Sequence, residues 1–302
     1  MKHILLIINP VSGKKQGQAC MFEVLEKFSE YDVVPTIRLT KSRGHATEIA
    51  REAALSGQYD AVFCCGGDGT LNEVIAGIVS VGGSLPVGYI PAGSTNDFAS
   101  GLGIPLELPA SAESACGELL ACGGFPIDIG HFNSARYFSY IASFGAFSAS
   151  SYNAPQSAKN VLGHFAYVLE GVKDFFQIKP LHAVCTDAEG NVHEDDYVFG
   201  GVTNTYSVGG IVKLTEAMVN MNDGLFEVLL VRMPHSPAEL NRIVRAVMSS
   251  EFENNPMIDF FRSPSLTFGM PEGTQWSLDG EQADGGGEVR IENLTAAVTL
   301  LK

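Results

Sequence analysis

The feature that most constrains the fold of this chain is an apolar run that ends at two glycines and an aspartate. Ala61–Cys65 has the length and the small or branched side chains of a strand that is buried on both faces. Gly-Gly-Asp-Gly follows at residues 66–69. The apolar residues after this loop recur at helical spacing, and they are Leu71, Val74, Ile75 and Ile78. The segment therefore predicts a buried strand, a tight loop and a helix.

The glycine loop between this strand and this helix indicates a phosphate site. In an open parallel sheet, ligands bind beyond the carboxyl ends of the strands, where this loop lies. Glycines at this position let backbone N–H groups approach phosphate oxygens that a Cβ would hold away. Asp68 places an anion among those amides, which is consistent with a divalent cation between the carboxylate and the phosphates. The loop favours a magnesium nucleotide. A plain strand-to-helix turn with Asp68 as a helix cap is the structural alternative.

The composition argues against several classes of protein. With 302 residues, 45% of them hydrophobic and 18% charged, the chain has the length of about two globular domains. Its formal net charge of −15 argues against a nucleic-acid partner, because such partners need clustered Lys and Arg. The cysteines form no Cys-x-x-Cys pair, so we expect neither a structural zinc nor a disulfide framework. Since no apolar window reaches the ~18 residues of a membrane span, we expect a cytoplasmic protein with no transmembrane segment.

Basic residues are unevenly distributed along the chain. No Lys or Arg occurs between Arg51 and Arg136, a stretch that includes the glycine loop. Any phosphate bound by that loop would therefore depend on backbone amides and a metal ion. A Walker-type loop is not an alternative, because Gly13-Lys14-Lys15 lacks the upstream glycine and the following Ser or Thr.

The order of the predicted elements changes near residue 125. Before this point strands alternate with helices, which is typical of a parallel α/β layer. After it, strands follow one another too closely for intervening helices, which predicts a mainly antiparallel sandwich. One of these strands is predicted over Tyr137–Ser143. Helical insertions are predicted in this second part at residues 158–176 and 237–248.

Four separated loops carry polar, glycine-rich or acidic sequence where predicted strands end. They are residues 9–13, 66–73, 91–98 and 278–281. Together the loops resemble the diacylglycerol kinase catalytic domain of soluble bacterial lipid kinases, which are related to sphingosine and ceramide kinases. The resemblance covers nearly the whole chain, including the order of the α/β part and the strand-rich part.

The resemblance implies a fold of two domains. Residues 1–127 would form a Rossmann-like three-layer α/β domain that binds the nucleotide, and a strand near residues 294–302 would return to it. Residues 128–293 would form an antiparallel β-sandwich domain with helical insertions that binds the lipid. The active site would lie in the cleft between the two domains.

The resemblance also implies an activity, which is the transfer of the γ-phosphate of ATP to a lipid hydroxyl, with diacylglycerol as the leading substrate. ATP and Mg²⁺ would be the cofactors, and Asp68 and Asp97 would hold the Mg²⁺ directly or through water. Glu281 would be the general base that takes the proton of the lipid hydroxyl, with Asp279 as a second acid beside it. The residues that would surround the nucleotide and its phosphates are Asn9, Pro10, Val11, Ser12, Gly13, Thr40, Gly66, Gly67, Asp68, Gly69, Thr70, Leu71, Asn72, Ser94 and Thr95.

The chain departs from the family pattern at a few positions. Two residues after Phe98 the family commonly has arginine, but this chain has Ser100, which removes a counter-charge near the phosphates. The family also has a structural metal in the strand-rich part. Its ligands here would be Asn220, Asp223 and the backbone of Leu225.

Other readings of the same residues remain open at this point. Asp97 could cap the short helix that begins near Phe98, Asn9 could close a turn before Pro10, and Glu281 could be an exposed carboxylate in a hairpin loop. NAD kinase also has a Gly-Gly-Asp-Gly loop and is the alternative enzyme. A nucleotide or lipid sensor without turnover is the alternative of another class.

The expected partner is a lipid substrate at the membrane surface, with peripheral membrane contact and with a homodimer left open. Residues 158–176 have an apolar face with Lys159 and Lys173 toward its ends, which suits shallow contact with a bilayer. More often, such a face packs against the core of the protein itself. We also expect that Asp68→Ala abolishes turnover and leaves the fold intact, because the loop position suggests a surface residue.

Overall fold

The computed structural model of the chain describes most of its residues. These are residues 1–13, 21–94, 96–145, 179–208, 212–215, 217–252 and 254–302. The chain divides into two compact units, one of residues 1–129 with 295–302 and the other of residues 130–294. Each unit contains a hydrophobic core of its own.

The first unit is built on parallel strands that are largely buried on both faces, except for the edge strand Val33–Leu39, where only Val33 is buried. The strands are β1 (Lys2–Ile8), β2 (Val33–Leu39), β3 (Ala61–Gly66) and β4 (Val87–Pro91). Their order in the sheet is β4-β3-β1-β2, and all pairs are parallel. The last residues of β17 (Glu288–Leu301) add a further parallel strand beside β4.

Helices cover both faces of this sheet and complete three layers. They are α1 (Met21–Glu30), α2 (His45–Ser56), α3 (Asp68–Val79), α4 (Asp97–Leu102) and α5 (Leu108–Leu120). Helices α1 and α5 pack on alternate strand residues such as Leu6 and Phe63. Helices α2 and α3 pack against each other closely at Gly77, where a Cβ would overlap the Thr47 carbonyl oxygen. The α/β class predicted from the sequence is confirmed.

The strand order creates a specific crevice at the carboxyl edge of the sheet. From β1 the chain adds β2 on one side, and then it returns to add β3 and β4 on the other side. Neighbouring strands β1 and β3 therefore lead to connections that diverge, which defines a topological switch point. In open α/β sheets, ligands bind in this crevice beyond the strand ends. The residues that follow Ile8 and Cys65 are therefore the first candidates for a ligand site.

The second unit consists mainly of antiparallel strands. The elements are β5 (Phe125–Phe132), which begins in the first unit, β6 (Arg136–Phe138), β7 (Ile141–Gly145), β8 (Leu181–Asp187), β9 (Val192–Thr203), β10 (Ser207–Val208), β11 (Val212–Lys213), β12 (Phe226–Arg232), α6 (Pro237–Ser249), β13 (Ile258–Ser263), β14 (Ser265–Gly269), β15 (Gln275–Leu278), β16 (Glu281–Asp284) and the first part of β17. Strand β9 pairs with β7, β8 and β12, all antiparallel. The mainly antiparallel arrangement predicted for this region is confirmed.

An aromatic cluster forms the centre of the second core. Trp276 is fully buried, and its ring lies 4.9 Å from Phe144, 5.3 Å from Phe268 and 5.4 Å from Phe132, measured between ring centroids. Tilted and edge-to-face pairs at these distances are favourable beyond the burial of their area. This cluster gives the strand-rich unit a rigid centre on which the turn after β15 is built.

Local structure differs from the sequence-based expectations in several strands. Tyr137–Ser143 was expected to be one strand, but it is divided into β6 and β7 because the backbone N–H groups of Ser139 and Tyr140 donate to a distant carboxylate, that of Asp279. Strands β10, β11, β13 and β16 were not predicted. The helix expected at residues 237–248 is confirmed as α6, and Ser236 caps its amino end by accepting from the Glu239 N–H. The helix expected at residues 158–176 lies outside the described residues.

Among the described residues, no helix is both long enough and apolar enough to span a bilayer.

Candidate active site

Asn9 connects the end of β1 to both β3 and α3. Asn9 directly follows β1, and its Nδ2 donates to Oγ1 of Thr70 in α3 over 3.0 Å. Its backbone N–H donates to the Cys65 carbonyl at 2.9 Å. Its Oδ1 accepts from the Val11 N–H at 3.1 Å, which closes the turn before the rest of the loop. Asn9 is therefore a turn residue, as the simpler reading held, and it also spans the switch point.

Three glycines allow the loops at this edge to touch. A Cβ built on Gly93 would lie 2.7 Å from the Cα of Gly67, and a Cβ on Gly67 would lie 3.3 Å from the Cα of Gly93. Gly13 has a φ of 56°, and a Cβ there would overlap the carbonyl oxygen of Ala92. Side chains at these positions would separate the loops. The loops after β1, β3 and β4 are thus held as one assembly.

The amino end of α3 lies in this assembly. Its N-cap residue is Gly67, which has no side chain to cap the helix. The first N–H groups of a helix have no partner within it, and together with the helix dipole they attract anions. Thr70 and Leu71 donate to the Gly67 carbonyl, so among the described residues the amides of Asp68 and Gly69 are the candidates for a phosphate.

Asp68 joins the glycine loop to the loop after β4. Its Oδ2 accepts from the Asp97 N–H at 2.9 Å, and its Oδ1 accepts from the Phe98 N–H at 3.4 Å and from the Tyr89 hydroxyl at 3.2 Å. Burial raises the pKa of Asp68, and the three donors oppose that rise while the nearby Asp97 carboxylate adds to it. Asp68 is half-buried. Asp68 is therefore not a free surface group, and the intact fold of Asp68→Ala stays a prediction.

Asn96 shapes the loop that carries Asp97. It adopts a left-handed conformation with φ 51°, which Asn tolerates better than most residues. Its Oδ1 accepts from the Gly93 N–H at 2.9 Å, and its Nδ2 donates to the carbonyls of Pro91 and Gly93. Asp97 is the first residue of α4 and has an exposed side chain. Asp97 does not cap α4, because its own N–H is capped by Asp68.

The remaining residues assigned to this loop and to the loop after β2 are placed as follows. Ser94 is exposed, and Thr95 lies outside the described residues. Thr40 continues from β2, and its N–H donates to the Ile8 carbonyl at 2.9 Å. Both loops therefore reach the same edge of the sheet as Asn9 and Asp68.

Glu73 is a functional candidate that the sequence reasoning missed. Its carboxylate accepts from the Gly44 N–H at 2.8 Å and from the Ala46 N–H at 3.1 Å. It thereby caps the amino end of α2 from a position one turn into α3. The loop after β2, which begins at Thr40, is held against the glycine loop by this contact. The position of Glu73 in α3 gives no sequence signal for a cap that belongs to another helix.

The two acidic residues assigned to the second unit have different surroundings. Asp279 is buried and has a φ of 49°. Its carboxylate accepts from three consecutive backbone N–H groups, those of Ser139, Tyr140 and Ile141, at 2.5 to 3.0 Å. Glu281 is the first residue of β16 and is only half-buried. Its Oε2 forms an ion pair with Arg136 at 3.2 Å, and the other guanidinium nitrogen donates to the Gln282 carbonyl.

The residues assigned to a structural metal form a turn. Asn220 and Asp223 are exposed, and Asp223 Oδ1 accepts from the Leu225 N–H at 3.0 Å. This hydrogen bond stabilises the turn. Across the part of the chain that the structure describes, no group of three or more His, Cys, Asp or Glu side chains could hold a metal ion.

The residues at the switch point nevertheless fit a magnesium nucleotide. Mg²⁺ commonly takes one or two protein carboxylates and completes its coordination with water and substrate phosphates. Asp68 and Asp97 supply such a pair, joined by the hydrogen bond from the Asp97 N–H. The amino end of α3 would supply amides for phosphate oxygens. Fold and site together define an α/β protein with a candidate phosphate site at the β1/β3 switch point.

Comparisons with known proteins agree with this class. The family model of the diacylglycerol kinase catalytic domain matches residues 3–130. A diacylglycerol kinase of Bacillus subtilis (strain 168) is 33% identical over 281 residues, which cover 93% of this chain and 90% of that protein. A diacylglycerol kinase of Staphylococcus saprophyticus is 32% identical over 287 residues, which cover 93% of this chain and 89% of that protein.

A solved structure shows the same fold. It is that of a diacylglycerol kinase from Bacillus anthracis (strain Sterne), and it matches with a TM-score of 0.75 at 21% identity over 99% of this chain and 96% of that one. The chain belongs to the diacylglycerol kinase family. It is a lipid kinase, so the resemblance found in its sequence is confirmed.

Proposed function

We propose that this lipid kinase transfers the γ-phosphate of ATP to the free hydroxyl of diacylglycerol, with Mg²⁺ as its metal cofactor. The observation that carries the proposal is the uncapped amino end of α3 at the β1/β3 switch point, with Asp68 and the exposed Asp97 beside it. The Bacillus subtilis relative, named a diacylglycerol kinase, supports the choice of lipid.

Phosphoryl transfer depends on positioning and charge neutralisation more than on covalent chemistry of the protein. Backbone amides at the start of α3 would bind the phosphates, and Asn9 would hold that helix in place through Thr70. Asp68 and Asp97 would hold Mg²⁺, which when bound neutralises charge on the phosphates. Because no Lys or Arg occurs between Arg51 and Arg136, amides and the metal would carry most of this neutralisation.

We propose Glu281 as the general base for the lipid hydroxyl. A base needs an accessible lone pair within reach of the proton that it accepts. Glu281 is half-buried, and Arg136 holds one of its oxygens in place. Asp279 is the weaker candidate, because three backbone N–H groups occupy its buried carboxylate. Its assignment as a second acid therefore gives way to a structural role.

A lipid substrate would bring the protein to a membrane surface, and we propose that this contact is peripheral. The support is the lipid kinase family together with the finding that no described helix could span a bilayer. Sedimentation with vesicles that contain diacylglycerol would test it. Equal recovery of protein in the supernatant with and without vesicles would contradict it.

The activity is tested with labelled ATP and defined acceptors. Purified protein is incubated with Mg²⁺, γ-labelled ATP and, in separate reactions, diacylglycerol in mixed micelles, a ceramide, sphingosine and NAD. We expect label in phosphatidic acid. Label in NADP would support the NAD kinase alternative, label in a sphingolipid would change the substrate, and no label in any product would contradict the kinase assignment.

A further inference from the structure

Tyr89 places a hydroxyl group in the interior of the first unit, next to the candidate active site. It lies in the middle of β4 and is 0% exposed. Buried hydroxyls need a hydrogen-bond partner, because their transfer out of water is otherwise costly. The Tyr89 hydroxyl lies 3.2 Å from Oδ1 of Asp68 and 3.5 Å from Oδ1 of Asn96. Its proton is therefore directed toward Asp68 and Asn96, two residues that make hydrogen bonds to the loop after β4.

The hydrogen bonds of Asp68 define which of its oxygens can meet a ligand. An ionised carboxylate offers about four lone-pair positions, two on each oxygen. Among the described residues, Oδ1 receives the Tyr89 hydroxyl and the Phe98 N–H, whereas Oδ2 receives only the Asp97 N–H. One acceptor position therefore stays open, and it lies on Oδ2. Without the Tyr89 hydroxyl, Oδ1 would have an open position as well.

We propose that Tyr89 is a positioning residue for the metal nucleotide. Its hydroxyl occupies Oδ1 of Asp68 and fixes the rotation of the carboxylate, so that Oδ2 is presented to Mg²⁺ or to a water molecule bound to it. The proposal rests on the proposed function in one respect, the use of Asp68 by Mg–ATP. It adds a residue outside the glycine loop on which metal affinity depends.

The test compares two tyrosine-to-phenylalanine variants. Tyr89→Phe removes the hydroxyl and keeps the buried ring. Tyr197→Phe is the matched control, because Tyr197 is also 0% exposed and its hydroxyl donates to Oδ2 of Asp259 at 3.0 Å, in the second unit. Both variants lose one hydroxyl-to-carboxylate hydrogen bond from a buried ring, so their melting temperatures report the structural cost.

Two readouts separate positioning from stability. The first is the Mg²⁺ concentration that gives half of the maximal rate at saturating ATP and diacylglycerol. The second needs no turnover and is the rise in melting temperature that Mg²⁺ adds to the effect of ATP. For Tyr89→Phe we expect the half-maximal Mg²⁺ concentration to rise about tenfold, the order expected for one hydrogen bond to a charged group, and the Mg²⁺-dependent stabilisation to shrink.

Tyr197→Phe should match the wild type in both readouts. Wild-type Mg²⁺ dependence in Tyr89→Phe would overturn the proposal, as would an equal change in Tyr197→Phe. If the wild type phosphorylates no lipid, the proposed function fails, and the Mg²⁺-dependent melting temperature alone decides the role of Tyr89. A Tyr89→Phe protein with lower stability but an unchanged Mg²⁺ effect shows that Tyr89 is only structural.

Discussion

Asp68 in the first unit and Asp279 in the second unit accept similar sets of hydrogen bonds but differ in how deeply they are buried. Each carboxylate accepts backbone N–H groups from a segment far away in the sequence. Asp279 is 6% exposed and serves three consecutive N–H groups. Asp68 also has three donors, two N–H groups and one hydroxyl, but it is only half-buried.

The number of these donors is therefore the same, and the difference between the two aspartates lies in burial. A buried carboxylate cannot approach a ligand without exposing the N–H groups that it serves. A half-buried one can meet a ligand where it stands, so we expect a structural role for Asp279 and a chemical role for Asp68. The predictions below test whether the two aspartates really divide in this way.

The largest effect on stability is expected for Asp279→Ala. Its removal leaves three buried backbone N–H groups without their acceptor, and each unsatisfied group costs about 1–3 kcal/mol. We expect the second unit to lose on the order of 3 kcal/mol or more in free energy of unfolding, measured by denaturant titration. Asp279→Asn should lose less, because it retains an acceptor and tolerates the left-handed backbone. A loss below about 1 kcal/mol for Asp279→Ala would show that these contacts contribute little.

A smaller effect is expected for Glu73→Gln, which weakens the cap on α2. We expect a loss of about 1 kcal/mol in stability and a roughly fivefold rise in KM for ATP, because the loop that begins at Thr40 is no longer held against the glycine loop. Asp60→Asn is the matched control. Asp60 also accepts a backbone N–H, that of His3 at 2.7 Å, but it precedes β3 at the opposite end of the sheet. An equal rise in KM for both variants would contradict the positioning role of Glu73.

The smallest effect concerns the pH dependence of Asp68 without nucleotide or metal. Burial raises the pKa of Asp68 in the folded protein, so its protonated form is favoured by folding. That contribution is present below the pKa of the unfolded chain and is lost as pH rises through the folded pKa. Asp68→Asn has no such loss, so its melting temperature relative to the wild type should increase from about pH 4 to about pH 7. A difference that stays constant or decreases would show that burial does not dominate.

The sequence predicted the regular parts of the first unit well. The buried strand Ala61–Gly66 appears as an uninterrupted apolar run, and the strand-loop-helix order around Asp68 was confirmed. The antiparallel unit was predicted less completely. Strand β13 was missed, and the interruption between β6 and β7 could not be inferred, because it depends on a carboxylate 140 residues away from Ser139.

The contacts that form the candidate site could not be inferred from the sequence either. Glu73 caps a helix whose first residues lie 27 and 29 positions earlier, and Tyr89 meets a carboxylate 21 positions away. Periodicity and motif spacing describe one element at a time, so they identify Asp68 and Asp97 as candidates but not the residues that orient them. Asp279 is the reverse case, since its motif position suggested chemistry and gave no sign of the three backbone N–H groups that it serves.

The central claim is that Asp68 and Asp97 of the first unit hold the Mg²⁺ of the nucleotide, and that Glu281 of the second unit accepts the proton of the lipid hydroxyl. The most direct test is calorimetry of Mg–ATP binding to Asp68→Asn and Glu281→Gln, each with its turnover rate measured on diacylglycerol. We predict that Asp68→Asn weakens Mg–ATP binding by about tenfold or more. Glu281→Gln should leave that affinity nearly unchanged and lower turnover by about 10²–10⁴-fold. Loss of nucleotide binding in Glu281→Gln, or its unchanged turnover, would contradict the claim.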